Sequence, residues 1–447
     1  MSVNPPSPTV NPPSPAPAGT EAQSVAGGAR IVAEYWVETG LPVEQAVEVL
    51  AGEQSCGTFV QVAGESAELT ARYRAQVEEI TDLGSVAAPS LPNGRVPRNE
   101  SGEYRQARVR VSWPLHNVGA DLINLLAMVA GNLFELPEFT GLRLQGLHLP
   151  PEFGERYRGP KFGVSGTRRL TGIPTGPILG TIIKPSVGLS PEQTAARVAE
   201  LIGSGLDFIK DDELMADPPH SPFRERVDAV MAVIRAQAER NGRQAMYAFN
   251  VSGTVEEMYR RHDYVVARGG TCVMASLHGV GPAGVRALTE QAEVPVHGHR
   301  NGWGLLYRSP ALGLDYTVVQ QVWRLLGVDH LHCNGLRNKF CETGASAMRS
   351  ARACLTPLFR PEDVAMPVIA SGQWAGQAHD TLAALGGSDL LYLCGGGIMG
   401  HPGGVRAGVA SVRQAWAAAV AGVPLAQAAR DQEELRAALA FFGQERT

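Results

Sequence analysis

The sequence predicts an α/β protein in which a C-terminal (β/α)8 TIM barrel follows a small α+β domain of the ferredoxin-like type. Two observations support this. After residue 157 the chain alternates short apolar strand-like segments with helical ones, and there are eight such strand-like segments. Polar residues of several chemical types follow the ends of six of them. A barrel of this kind closes with eight parallel strands joined by helices.

Composition limits the possible functions. The chain has 447 residues, of which 44% are hydrophobic, so it can bury a substantial core in more than one domain. A net charge of −5 without a basic cluster argues against nucleic acid as a partner, and no apolar run is long enough to span a membrane. The six cysteines lack CxxC spacing, which predicts neither a disulfide framework nor a zinc site. We expect a cytoplasmic protein with reduced thiols.

The chain divides into three parts. Residues 1–28 contain Asn-Pro-Pro-Ser-Pro twice and lack the features of a secretion signal, so we expect a disordered tail. Residues 29–157 mix alternating strand-like runs at 30–37, 57–62 and 106–113 with helical stretches at 42–51 and 120–130, which is typical of a small α+β domain. Residues 158–447 form the predicted barrel, with strands at 178–184, 206–210, 245–250, 271–276, 295–299, 329–333, 367–371 and 390–395. Ser190 and Ser221, each followed by proline, are predicted helix N-caps.

The second barrel strand ends in an unusual charged segment. Lys210 closes it and is followed by three carboxylates, of which Asp212 and Glu213 offer the hard oxygen ligands that Mg²⁺ prefers. Taken alone, such a run is also typical of a solvated turn. Other strands end in functional side chains as well, and the C-terminal strand ends of a TIM barrel meet at one rim. These residues are Lys184, His299, Arg300, His332, Ser371, Gly372, Gly395 and Gly396.

Each of these residues also has a structural explanation when it is taken alone. Buried histidines can simply be hydrogen-bonded core residues, and the glycines at 395–397 can form a tight turn. Packing gives no reason for lysines, histidines, carboxylates and glycines to occur together at the ends of six strands. The combination therefore indicates a functional site.

Several motifs resemble, in the same order, those of the RuBisCO large subunit. They are Ile183-Lys-Pro-Ser-Val-Gly-Leu-Ser190, Gly205-Leu-Asp-Phe-Ile-Lys-Asp-Asp-Glu213, His297-Gly-His-Arg300, Asp329-His-Leu-His332, Lys339, Ala370-Ser-Gly372 and Gly395-Gly-Gly-Ile-Met-Gly-His-Pro402. The resemblance implies that Lys210 reacts with CO₂ to form a carbamate, which holds Mg²⁺ together with Asp212 and Glu213. It also implies that Lys184 is the base that removes a proton from carbon.

The resemblance assigns further roles. His299 is a catalytic candidate, and Lys339 resembles a mobile-loop lysine that contacts the carboxyl group. Arg300, His332, Ser371 and Gly372 resemble one substrate- or phosphate-binding group, and Thr58, Gly395 and Gly396 resemble another. Glu53, Thr58 and Asn132 match residues that reach into the site of a partner subunit, which implies at least a homodimer.

The sequence also departs from the carboxylase pattern. Ser186 stands where carboxylases have a second lysine, Phe59 replaces a tryptophan, Gln373 a glycine and Ile182 a threonine, and the loop around Lys339 differs. We expect enolisation to survive these changes and the later steps of carboxylation to be damaged. The hypothesis is a RuBisCO-like enzyme that decarboxylates a phosphorylated 3-oxo sugar acid through an Mg²⁺-stabilised enediolate. A methionine-salvage type isomerase or enolase is the close alternative, followed by a true carboxylase and then a non-catalytic barrel.

Overall fold

The N-terminal domain is built on an antiparallel sheet. A computed structural model describes residues 28–57, 63–91 and 102–444 of the chain. The elements of this domain are β1 (Arg30–Thr39), α1 (Val43–Glu53), α2 (Ala67–Tyr73), β2 (Gln76–Val86), β3 (Tyr104–Pro114), α3 (Leu122–Ala130) and β4 (Gly141–His148). Their strand order is β4-β1-β3-β2, which confirms the ferredoxin-like type.

The alternation of buried and exposed side chains explains why β1 could be predicted from the sequence. In β1 every second side chain from Ile31 to Val37 is fully buried, so its period of two was readable. The predicted helices and the strand at 106–113 are also confirmed, as α1, α3 and β3. Two strands were not predicted from the sequence: β2, which is mostly exposed and carries no apolar alternation, and β4. Most of the strand-like run predicted at 57–62 lies outside the described residues.

The barrel follows two short helices, α4 (Pro151–Arg156) and α5 (Gly163–Thr171). All eight predicted strands are present and close into a parallel barrel, and one further strand in this part of the chain, β10, lies outside the barrel. In chain order they are β5 (Ile178–Ile182), β6 (Phe208–Lys210), β7 (Met246–Asn250), β8 (Cys272–Ser276), β9 (Val296–His299), β10 (Leu312–Leu314), β11 (His330–His332), β12 (Met366–Ile369) and β13 (Leu391–Leu393). The strands that pair in the barrel are shorter than predicted, because the chain leaves the sheet before the polar residues at 184 and 371.

Helices surround the barrel. They are α6 (Pro191–Gly203), α7 (Phe223–Asn241), α8 (Val255–Ala267), α9 (Leu277–Gln291), α10 (Gly304–Tyr307), α11 (Tyr316–Leu325), α12 (Gly344–Leu355), α13 (Ala378–Leu385), α14 (Gly396–Met399), α15 (Gly404–Val420), α16 (Leu425–Asp431) and α17 (Glu433–Phe442). Ser190 caps α6 in a capping box, as predicted. The predicted cap at Ser221 is wrong: Pro222 occupies the cap position, and the Ser221 carbonyl accepts a hydrogen bond from Arg226 instead. Across the described ranges, every helix is too short or too polar to cross a membrane.

The strand β10 joins the two parts of the chain. It comes from the segment assigned to the barrel, but it pairs in parallel with β4 and extends the N-terminal sheet. The buried Arg143 of β4 holds it in place by donating to Asp315 Oδ1 at 2.7 Å and to the carbonyl oxygens of Ser309 and Leu314. Its guanidinium also stacks on the Tyr307 ring at 4.7 Å.

We predict that Arg143→Met lowers the free energy of unfolding by about 3 kcal/mol, because it removes a buried cation from several acceptors at once. Arg105→Met is the matched control: Arg105 pairs with Asp82 on the exposed side of the same sheet, and its loss should cost less than about 1 kcal/mol. Chemical denaturation of the two variants measures the difference. Equal destabilisation would contradict the anchoring role of Arg143.

Candidate active site

The predicted site residues lie where the barrel strands end. Lys210, His299 and His332 are the last residues of β6, β9 and β11. Lys184, Ser371 and Gly395 each follow a strand by two residues, at the ends of β5, β12 and β13. The side chains therefore share the C-terminal rim of the barrel, which is the face that carries chemistry in this fold.

Lys184 and Asp212 are in direct contact. The Lys184 amine donates to Asp212 Oδ2 at 2.7 Å and to Ser186 Oγ at 2.6 Å. The Asp212 side chain is 3% exposed, whereas that of Lys184 is 43% exposed and can reach a bound molecule. Burial alone would raise the pKa of Asp212, but the hydrogen bonds and charge of Lys184 outweigh it, so the pKa lies below its usual value. The predicted base and a predicted metal ligand thus share one small volume.

Lys210 is buried beside acidic groups. It is 1% exposed, donates to the Asp211 carbonyl oxygen at 2.8 Å and lies 3.8 Å from Glu213 Oε2. Burial lowers the pKa of Lys210, while the neighbouring carboxylates partly offset that effect. CO₂ reacts with the neutral amine, so a lowered pKa favours carbamate formation.

The three consecutive carboxylates point in different directions. Asp211 is turned away from the rim: it accepts hydrogen bonds from the Tyr247 hydroxyl at 2.6 Å and from the Asn250 N–H at 2.9 Å. Adjacent residues of an extended chain face opposite sides, so Asp212 returns to the side of Lys210. Asp211 is therefore a structural residue, and Asp212 and Glu213 remain available to a ligand.

The donor set fits Mg²⁺ once a third ligand is supplied. Among the described residues no cluster of three His, Cys, Asp or Glu side chains is arranged to hold a metal. Asp212 and Glu213 provide two carboxylates, and Lys210 lies against Glu213. A carbamate on Lys210 would convert its nitrogen into an anionic oxygen donor and complete a three-carboxylate set of the hard type.

Histidines line the rim and continue into the barrel. His299 Nε2 lies 3.5 Å from Glu213 Oε2, and burial together with the Lys210 charge lowers the pKa of His299 to about 4. The His299 and His332 rings meet edge to face with centroids 4.5 Å apart. Behind them, His332 is hydrogen bonded to His297, and His297 to His330.

Arg300, Ser371 and Lys339 are linked through the loop after β11. Arg300 Nη2 donates to Glu342 Oε2 at 2.8 Å, and its guanidinium lies 4.1 Å from the Tyr316 ring centroid. Asn334, with a φ of 56°, accepts from Ser371 Oγ and donates to Glu342. The Lys339 N–H donates to the Ser371 carbonyl oxygen at 3.3 Å, so Lys339 lies beside Ser371 and the adjacent Gly372.

Two residues of this network, Asn334 and Glu342, were not predicted from the sequence. The Asn-Gly pair at 334–335 is a turn signal, but the sequence does not show that Glu342 returns to meet Arg300. Gly395 and Gly396 lie at the start of α14, and added Cβ atoms there would meet at most Ile182 Cδ1 at 3.9 Å. A ligand can therefore approach this backbone closely.

Two of the residues predicted to serve a partner subunit, Glu53 and Asn132, lie in the N-terminal domain. Glu53 ends α1, which packs on the short 3-10 helix that begins at Asn132, so the two share one part of the N-terminal domain. Among the described residues neither side chain bonds to the barrel rim. Thr58 lies outside the described residues, as does Phe59.

Comparison with known proteins assigns the family. The profile described as "Ribulose bisphosphate carboxylase large chain, catalytic domain" matches residues 163–442, and the profile of the N-terminal domain of the same chain matches residues 20–153. This chain belongs to the RuBisCO large-chain family. The family and the fold predicted from the motifs are confirmed.

Three relatives of this RuBisCO-family chain are informative. A "3-oxo-isoapionate-4-phosphate transcarboxylase/hydrolase" from Xanthobacter autotrophicus is 53% identical over 92% of this chain and 99% of its own length. A "3-oxo-isoapionate-4-phosphate decarboxylase" from Rhizobium etli is 44% identical over 92% and 98%. The crystal structure of a rubisco-like protein from Burkholderia fungorum has a TM-score of 0.87 and 46% identity, covering 93% of this chain and 100% of its own.

The departures from the carboxylase pattern have visible consequences. Ser186 supplies a hydroxyl that accepts from Lys184, at the position where carboxylases have a lysine. Gln373 is fully buried, and its amide lies against Gly335, where a Cβ would come within 2.1 Å of Gln373 Nε2. The loop that carries Lys339 therefore packs against the Gln373 side chain. A glycine at position 373 could not make this contact.

The chain contains only four lysines, Lys161, Lys184, Lys210 and Lys339. We predict that Mg²⁺ with bicarbonate raises the melting temperature of the wild type, because both bind the folded state, and that Lys210→Met abolishes this shift. Lys161→Met, outside the predicted site, should keep it. Thermal denaturation with Mg²⁺, with bicarbonate and with both measures the effect; an undiminished shift in Lys210→Met would refute the carbamate assignment.

Proposed function

We propose that this chain is an Mg²⁺-dependent homodimeric enzyme that removes or transfers the carboxyl group of a phosphorylated 3-oxo sugar acid. The observation that carries the proposal is the 2.7 Å contact between the Lys184 amine and Asp212, beside the buried Lys210 and Glu213. An amine and a set of hard anionic ligands can then act on adjacent atoms of one small molecule. Relatives named for 3-oxo-isoapionate-4-phosphate supply the substrate class.

Carbamylated Lys210, Asp212 and Glu213 would hold the ion. When bound, Mg²⁺ supplies Lewis-acid stabilisation of negative charge on the substrate's ketone and enediolate oxygens. Asp212 also positions Lys184 through their hydrogen bond. His299, whose pKa is lowered to about 4, is neutral at pH 7 and can accept or donate a single hydrogen bond at the substrate.

Lys184 handles the proton at carbon. As an ammonium it delivers a proton to the enediolate that remains after the carboxyl group leaves, and in its neutral form it can take that proton back from the product carbon. Lys339, exposed on its loop beside Ser371, is suited to pair with the substrate carboxylate. Thr58, Gly395 and Gly396 would bind the phosphate, and Arg300, His332, Ser371 and Gly372 the other end of the substrate.

The fate of the carboxyl group distinguishes two reactions. Decarboxylation releases it as CO₂, and the enediolate takes up a proton. Transfer followed by hydrolysis keeps it in an organic product, and water cleaves a carbon–carbon bond. The sequence motifs favour decarboxylation, whereas the higher identity, 53% against 44%, is to the transcarboxylase/hydrolase.

A carboxyl-labelled substrate tests the proposal. We expect the enzyme with Mg²⁺ and bicarbonate to consume [carboxyl-¹³C]3-oxo-isoapionate-4-phosphate. Labelled CO₂ identifies a decarboxylase, and label retained in an acid product identifies the transfer and hydrolysis reaction. Deuterium exchange from solvent with no loss of substrate would contradict both and favour an isomerase or enolase.

We predict that Lys184→Met abolishes exchange of solvent deuterium at the product carbon that has lost its carboxyl group, while Mg²⁺ binding persists, because the amine is lost but the carboxylates remain. Exchange by nuclear magnetic resonance and metal binding by calorimetry are the two measurements. Unchanged exchange in the variant would eliminate Lys184 as the base.

Shared sites between subunits predict complementation. Lys184→Met and Glu53→Gln should each be inactive alone, because each spoils both sites of its own homodimer. Refolding an equal mixture should restore about a quarter of wild-type activity, since half of the dimers are mixed and each has one intact site. The unmixed variants are the control, and no recovery in mixtures proven to contain heterodimers would contradict the shared site.

A further inference from the structure

One end of the site is formed by Arg300, His332 and Ser371, and we call it the Arg300 end. It contains few free hydrogen-bond donors. A site for a phosphate dianion needs unpaired donors and excess positive charge. Each of these three side chains instead has a hydrogen-bond donor that is already paired with an acceptor within the protein.

A buried carboxylate compensates the arginine. Glu342, whose side chain is 2% exposed, accepts from Arg300 Nη2 and Asn334 Nδ2, both at 2.8 Å, and from Ser346 Oγ at 2.9 Å. Ser371 donates its only hydroxyl proton to Asn334 Oδ1 at 2.7 Å, so its lone pairs remain for a ligand. Arg300 Nη1 is buried and has no partner among the described residues.

The row of histidines fixes which nitrogen of His332 carries the proton. Thr167 donates its hydroxyl proton to the Gly163 carbonyl oxygen, so at 2.8 Å it can only accept from His330 Nε2. A neutral His330 then has an unprotonated Nδ1, which accepts from His297 Nδ1 at 3.3 Å. Burial lowers the pKa of His330 to about 3 and that of His297 well below its usual value, consistent with neutral rings.

The hydrogen bonds between the histidines keep the same donor-to-acceptor direction up to the rim of the barrel. His297 Nε2 must accept, so His332 Nε2 donates to it at 2.8 Å, and His332 Nδ1 is left as an acceptor. The Arg300 end thus presents acceptors on His332 and Ser371, a compensated arginine with one unpaired donor, and a buried carboxylate that repels a second anion. Hydroxyl groups, which both donate and accept, match this arrangement.

We propose that the Arg300 end binds a hydroxyl-bearing, uncharged end of the substrate, so that the enzyme selects a monophosphate over a bisphosphate. This deepens the proposed function and rests on it in placing the reacting carbon at Lys184. Thr167 and Glu342 are positioning residues here: one sets the His332 tautomer, and the other holds Arg300 in a neutral pair.

Two inert ligands test the selection without turnover. Calorimetry of the Mg²⁺- and bicarbonate-treated enzyme should show that ribitol 5-phosphate binds at least as tightly as ribitol 1,5-bisphosphate. Glu342→Gln, which keeps the side-chain shape, should strengthen bisphosphate binding by about tenfold and change monophosphate binding by less than about twofold. Tenfold tighter bisphosphate binding by the wild type, or no gain in folded Glu342→Gln, would overturn the proposal.

The tautomer has its own readout, independent of Glu342. In ¹⁵N-histidine-labelled enzyme we expect His332 to carry its proton on Nε2, with the signal assigned by its loss in His332→Gln. Thr167→Ser should preserve this state, whereas Thr167→Val removes the acceptor that sets the polarity and should produce His332 protonated on Nδ1. A wild-type signal from Nδ1–H would overturn the proposal even if the substrate assay succeeds.

Discussion

The site depends on the burial of Lys210 at the end of β6. The ammonium form of a lysine that is 1% exposed is destabilised by the loss of hydration, and burial lowers the pKa of Lys210 for that reason. The acidic groups around it offset this destabilisation only in part. Conversion to a carbamate would replace the buried ammonium group by an anion, which can bind a divalent ion together with Asp212 and Glu213. Asp212 in turn positions Lys184, so one buried amine connects the metal ligands to the proton-transfer group.

The rim also has two chemically different ends. At Gly395 and Gly396 the backbone is open, because added Cβ atoms would meet almost no other atom, whereas the Arg300 end is closed by a carboxylate and by directed hydrogen bonds. Such asymmetry suits a substrate with different groups at its two ends. The same loop carries Lys339, the group proposed to contact the substrate carboxylate, and Glu342, which neutralises Arg300. Asn334 is hydrogen bonded to Glu342 and Ser371, and the Lys339 N–H donates to the Ser371 carbonyl oxygen.

The sequence predicted the barrel well because its buried strands are short apolar runs that end in polar residues. It placed Lys184, Lys210 and Asp212 on one rim, since strand ends of a parallel barrel meet there. It could not predict β10, because three residues carry no period and their pairing depends on Arg143, far away in the chain. It assigned Ser221 as a cap, but an interior arginine claims its carbonyl oxygen. The Arg300–Glu342 pair was equally invisible, because a long-range ion pair leaves no local pattern.

The most direct test of the account is whether CO₂ bound to Lys210 contacts the metal. Mn²⁺ can replace Mg²⁺ as a paramagnetic probe, and the enzyme can be treated with ¹³C-bicarbonate. Electron–nuclear double resonance should then detect a ¹³C nucleus one bond beyond a ligand oxygen, together with the ¹⁵N of labelled lysine. Tightly bound Mn²⁺ that shows neither coupling would contradict the central claim.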